Sequence, residues 1–155
     1  MSFQINALDP APFAPLFTMS EAELVGRHAR RVTADSAPGF PCRVSMADAA
    51  VGDRLILLHY EHMPAHSPFR ASHAIYIREG AERARLAPGE VPEVLARRLL
   101  SVRAFDGDDM MVAAEVVEGT SLGPVLSDWL EDAGVAFVDI HYARPGCFAG
   151  RAVRP

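Results

Sequence analysis

Two β-rich runs, Leu100–Phe105 and Met110–Val117, closed around Asp106-Gly107-Asp108-Asp109, restrict this chain more than any other feature. Gly and Asp tolerate the backbone angles of a tight reversal, so such a pattern specifies a hairpin. The pattern returns at the end of the chain, where Val135–Tyr142 and Phe148–Val153 flank the turn ARPGC. Upstream, Asp53–Glu61 and Ala74–Arg78 read as buried strands, Arg43–Met46 as another, and residues 3–6 as a short edge strand. Helices are few. Ser20 with Glu23 forms a capping box that opens a helix to about Arg30. Glu93–Arg98 and Leu122–Glu131 are the other two, the last capped by Thr120 or Ser121. Strands joined by turns, with two or three short helices between them, predict an α+β fold with a mostly antiparallel sheet. At 155 residues, half of them hydrophobic, a single domain over 1–155 can close its core without disulfide or metal staples.

Charge and composition remove several classes of function. A net charge of −5 offers no basic face for nucleic acid. No apolar run approaches the roughly 18 residues of a membrane span, and MSFQINALDPAPF lacks the character of a signal peptide. The expectation is a cytoplasmic protein with Cys42 and Cys147 reduced. All 15 basic residues are arginine, the pattern of a GC-rich genome. Without lysine there is neither a Schiff base nor a Walker-type phosphate loop. Asparagine and glutamine occur once each, at Asn6 and Gln4, which leaves little material for a Cys–His–Asn triad. No residue pattern specifies a cofactor.

The histidines His59, His62, His66 and His73 crowd into one stretch. His62 and His66 have the i, i+4 spacing of a helical zinc site, but Pro64 lies between them and Pro68 follows, so no helix holds them on one face. On a strand His59 and His62 point to opposite faces. Strand geometry and the two prolines therefore argue against a single local metal motif. A non-local one remains, in which His62 and His66 converge with His141. The simpler alternative is imidazoles hydrogen-bonded at a sheet margin.

Gly119-Thr120-Ser121-Leu122-Gly123 matches the G-x-S-x-G nucleophile elbow, yet Pro124 follows at once and Ser121 is well placed as a helix cap. Asp106–Asp109 lacks the spaced ligands of a calcium loop. His141 and Cys147 sit at the mouth of the last hairpin, where an imidazole can lower a thiol's pKa and Arg144 adds positive potential. Cys147 is equally well read as a small buried apolar group.

Four segments in order, PGFPCRVSMADA (38–49), LLHYEHMPAHSPFRASHAIYIRE (57–79), LARRLLSVRAFDGDDMM (95–111) and VAFVDIHYARPGCFAGRAVR (135–154), resemble the bacterial family catalogued as domain of unknown function 1203. The resemblance runs from about Arg30 to Arg154 and implies a self-contained domain, without conferring an activity. It draws attention to Pro41-Cys42-Arg43, the His62–Ser67 loop and Gly146-Cys147. His73-Ala74 stands where the family pattern has Gly-Pro, and Asp139 and Tyr142 where it has His and Asn. Those departures set His73 and Asp139 aside as residues of a shared site.

Two readings follow. In the first, Arg43, Arg103 and Arg144 line a pocket for a small anionic molecule, with His141 or His62 as acid–base group and Cys147 as nucleophile if the protein is an enzyme. In the second, His62, His66 and His141 bind a transition metal without catalysis, with a cysteine as a candidate fourth ligand. A third possibility is a purely structural protein, homodimeric through an exposed strand, with no ligand.

Overall fold

The computed structural model describes residues 2–155. Among the described residues, ten strands form two five-stranded sheets, mostly antiparallel, accompanied by three α-helices, as the α+β reading expects. The chain packs as two compact units. One takes the N-terminus through Asn6 with residues 61–73 and 85–155; the other takes residues 7–60 and 74–84. No helix among the described residues is long and apolar enough to cross a membrane.

The first unit is built on strands β1 (Gln4–Asn6), β7 (Leu99–Phe105), β8 (Met111–Glu118), β9 (Phe137–Tyr142) and β10 (Phe148–Val153), ordered β1-β10-β9-β7-β8. Side chains alternate across a pleated sheet, so each strand divides its sequence between two faces. Leu100, Val102 and Ala104 of β7 share one face with Val138, Ile140 and Tyr142 of β9, and all six are buried. Helix α3 (Leu122–Glu131) packs against β9. Its Leu122, Leu126 and Leu130 recur every four residues and are fully buried, each contributing about 1.5–3 kcal/mol through removal from water. At its C-terminus the guanidinium of Arg154 donates to the carbonyls of Leu130, Asp132 and Val135. The opposite face of the sheet is different. It carries Arg103, Asp139, His141 and Arg151, and it receives the segment 61–73.

The second unit holds β2 (Ala29–Thr33), β3 (Pro41–Cys42), β4 (Ala47–Asp48), and most of β5 (Arg54–Met63) and β6 (Ala71–Arg78). Its core gathers Leu24, Ile56, Leu58, Ile75 and Ile77. The capping box is present, but helix α1 (Glu21–Gly26) ends short of Arg30. His28 turns left-handed at φ 53°, and Ala29 enters a strand whose register on β5 buries it. Burial of that strand outweighs the local helical preference. Residues 43–46 likewise turn between β3 and β4 where a strand was expected; Met46 takes φ 51° and the Ser45 amide donates to Cys42 Sγ.

Helix α2 (Glu93–Ala96) explains one glycine of the elbow-like motif. A Cβ on Gly119 would meet the backbone oxygen of Leu95 at 2.0 Å, so this glycine permits a close backbone approach. Ser121 stands at the N-cap of α3, exposed, and its side chain makes no capping bond, contrary to the expected cap. The motif is structural through Gly119. Gly119→Ala should therefore cost about 1–3 kcal/mol or more in urea unfolding, whereas Ser121→Ala should change stability by less than about 0.5 kcal/mol. Equal effects of the two substitutions would contradict this assignment.

Candidate metal centre

Strand β9 places Phe137, Asp139 and His141 on one face, because the three positions alternate. Their partners across β7 are Phe105, Arg103 and Ser101. Across β10 they meet Arg151, opposite Asp139, and Phe148, opposite His141. Positions 148 and 151 differ by three, so a regular strand would send them to opposite faces. A register shift between Phe148 and Gly150 supplies the extra residue that turns both to the same side.

Asp139 has no exposed surface, and its charge is met by Arg151 through two bonds, Nε to Oδ1 at 2.6 Å and a terminal nitrogen to Oδ2 at 3.0 Å. The same guanidinium lies 3.9 Å over the ring of Phe137 and donates to the His62 carbonyl at 3.4 Å. Burial pushes the Asp139 carboxyl above its ordinary range, against the lowering influence of Arg151 and Arg103.

His141 is buried, and its Nδ1 lies 3.0 Å from the Gly146 carbonyl. A carbonyl only accepts, so Nδ1 carries the proton and Nε2 keeps its lone pair. Gly146, at φ +82°, makes the turn that brings this carbonyl back. His62 arrives from the end of β5, stacks on Phe148 at 4.9 Å and 10°, and sets its ring edge-on to His141 at 4.9 Å. His62 Nδ1 is buried and has no hydrogen-bond partner. Leaving a buried polar nitrogen unsatisfied costs about 1–3 kcal/mol. His62, Asp139 and His141 each bring one ligating atom within 4.8 Å of the other two. Some point therefore lies about 2.8 Å or less from all three, and a contraction below about 1 Å reaches the 2.0–2.2 Å of zinc–nitrogen and zinc–carboxylate bonds.

Both imidazoles are held neutral. Burial, then the positive charges of Arg151 and Arg103, brings His62 down to about 4; burial and Arg103 bring His141 down to about 3, against the Gly146 bond. Neutral imidazoles with available lone pairs are what metal ligation requires.

The structure joins His62, His141 and Arg103, all anticipated from sequence, with two residues that were not: Asp139, which had been set aside, and Arg151. The alternation of Asp139 and His141 in VDIHY was the signal for the first; the second depends on the bulge. His66 is exposed and lies outside the cluster, so Asp139 occupies the third position that His66 was expected to fill. Cys147 is buried in the β9–β10 connection and Arg144 is exposed there; neither belongs to the cluster. Arg43 belongs to the second unit, where its buried guanidinium donates to the Pro41 carbonyl. Cys42 is also free, its sulfur accepting from the amides of Ser45 and Arg78.

Fold and cluster together define an α+β protein carrying two histidines and one carboxylate on the face of an antiparallel sheet. Residues 39–154 match the family described as protein of unknown function (DUF1203), and the chain belongs to that family. No curated protein and no solved structure matches it.

The neutral histidines make stability depend on acid. Unfolded, each takes a proton near its ordinary 6.5; folded, they resist it down to about 4 and about 3. Between about 6.5 and those values the unfolded chain binds more protons, so stability falls as pH falls. Asp139, its carboxyl raised when folded, acts in the opposite sense just above 3.8. Urea unfolding should show a lower free energy at pH 5 than at pH 7, with a smaller loss in His62→Gln and His141→Gln. An unchanged pH slope in both variants would contradict the assignment.

Proposed function

We propose that this chain binds one divalent first-row transition ion through His62, His141 and Asp139. The observation that carries the reading is the orphaned Nδ1 of His62, buried beside a second imidazole whose own Nδ1–H is already bonded and a carboxylate within ligand reach. Two nitrogens and one oxygen suit zinc or iron(II) better than calcium or magnesium, which prefer oxygen. The Gly146 carbonyl and Arg151 then serve as outer partners, orienting His141 and Asp139. Three protein ligands leave positions open on the ion, which is the arrangement of reactive sites, whereas purely structural zinc sites are closed by four. The anion pocket drawn through Arg43 and Arg144 has less support, because the cluster assembles without either.

Tag-free protein purified without chelator should contain about one zinc or iron per chain by elemental analysis, and zinc added to stripped protein should raise its melting temperature. His62→Ala, His141→Ala and Asp139→Asn should each weaken zinc binding by more than the ~10–100-fold that outer partners typically contribute. Zinc binding of equal strength in wild type and all three variants would sink the proposal.

A further inference from the structure

Arg103 plays no part in holding the cluster together, yet its charge acts on every member of it. It lies opposite Asp139 in the β7–β9 register and influences Asp139, His141 and His62 electrostatically. Among the described residues its one hydrogen bond runs from Nε to Ser101 Oγ at 3.2 Å, which leaves both terminal nitrogens uncommitted. Arg151, by contrast, commits Nε and one terminal nitrogen to Asp139 and the His62 carbonyl. Glu61, the acidic neighbour of His62, pairs with Arg70 instead. On the far side of Arg103, Ala114 of β8 is exposed on the same sheet face, as is Val116 opposite Ser101, so the sheet is uncovered there.

Charge balance follows from these positions. Arg103 and Arg151 bring two positive charges against the single carboxylate of Asp139, and an imidazole that ligates a metal adds none. A divalent ion would raise the excess by two, which favours an anion as its companion in the site.

We infer that Arg103 and the metal together bind a small oxyanion, a carboxylate or phosphate, with one oxygen on the ion and the others on the guanidinium fork. This inference rests on the metal reading. The planar fork of Arg103 matches such a group with two parallel bonds, and the uncovered face over Ala114 is the route of entry. Arg103 thereby sets specificity: an uncharged ligand of similar shape lacks the partner that the guanidinium requires. His73, exposed at the start of β6 and within electrostatic reach of both His62 and His141, lies at the rim of the site.

The test uses the full chain loaded with cobalt(II), whose visible spectrum reports its ligands. Acetate and inorganic phosphate are titrated separately into wild type, Arg103→Met and Arg103→Lys. A saturable spectral change is expected in the wild type with at least one of the two probes, and the responding probe identifies the oxyanion class. Its affinity should fall by about tenfold or more in Arg103→Met and by less in Arg103→Lys, which keeps charge but loses the fork. Cobalt affinity should stay within about threefold of wild type in both variants, which also shows that they are folded. Failure of the wild type to take up cobalt overturns the metal reading and this inference with it. Cobalt uptake with no response to either anion, or with equal anion affinity in wild type and Arg103→Met, overturns the inference alone.

Discussion

Asp139 is a carboxylate with no exposed surface in the middle of a five-stranded sheet, and the guanidinium of Arg151 on the adjacent strand compensates its charge. Stripped of that partner, a buried carboxylate would cost about 3–5 kcal/mol. The pair is therefore a demanding constraint, and it reaches well beyond its two bonds. It requires Arg151 to face Asp139, which fixes the register of β10 on β9. Phe148 can share that face only because the strand bulges between the two positions. Phe148 in turn provides the ring on which His62 stacks, and Arg151 holds the His62 carbonyl. The positions of both imidazoles thus follow from one ion pair and one extra residue.

Burial does the chemical preparation. Removed from water and facing Arg103, His62 and His141 remain unprotonated at pH values where an exposed histidine would be half charged. The Gly146 carbonyl settles the tautomer of His141, and nothing in the fold settles that of His62. A protein interior rarely tolerates such an orphan without a use for it. The proposed sharing of the site between a cation and an anion rests on the same charges: the donor atoms suit a metal, while Arg103 and Arg151 disfavour it unless a negative group accompanies it.

The sequence made the periodic parts of the fold readable. Leu122–Glu131 and Phe148–Val153 lie where the amphipathic pattern and the turn before Phe148 predict them, because one face of each is apolar and their ends carry turn residues. The capping box likewise marks the true start of α1. What failed was governed by distant partners. Ala29–Thr33 carries a weak local preference and becomes a strand only through pairing with β5. Pro41–Cys42 and Ala47–Asp48 take up short pairings, two residues each, that no periodicity can signal. At the site, His62 and His141 drew attention by residue type, but Asp139 was discounted on a family pattern although its alternation with His141 placed them on one face. Arg151 was invisible because its orientation depends on a bulge, for which the small residues Ala149 and Gly150 are only a faint mark.

The most direct measurement of the central claim is anomalous diffraction at the zinc edge from crystals of the zinc-loaded protein. One dominant anomalous peak should appear, bounded by His141 Nε2, a ring nitrogen of His62 and an oxygen of Asp139, each at about 2.0–2.2 Å. A zinc bound elsewhere on the chain, with His62 and His141 left unligated, would contradict it.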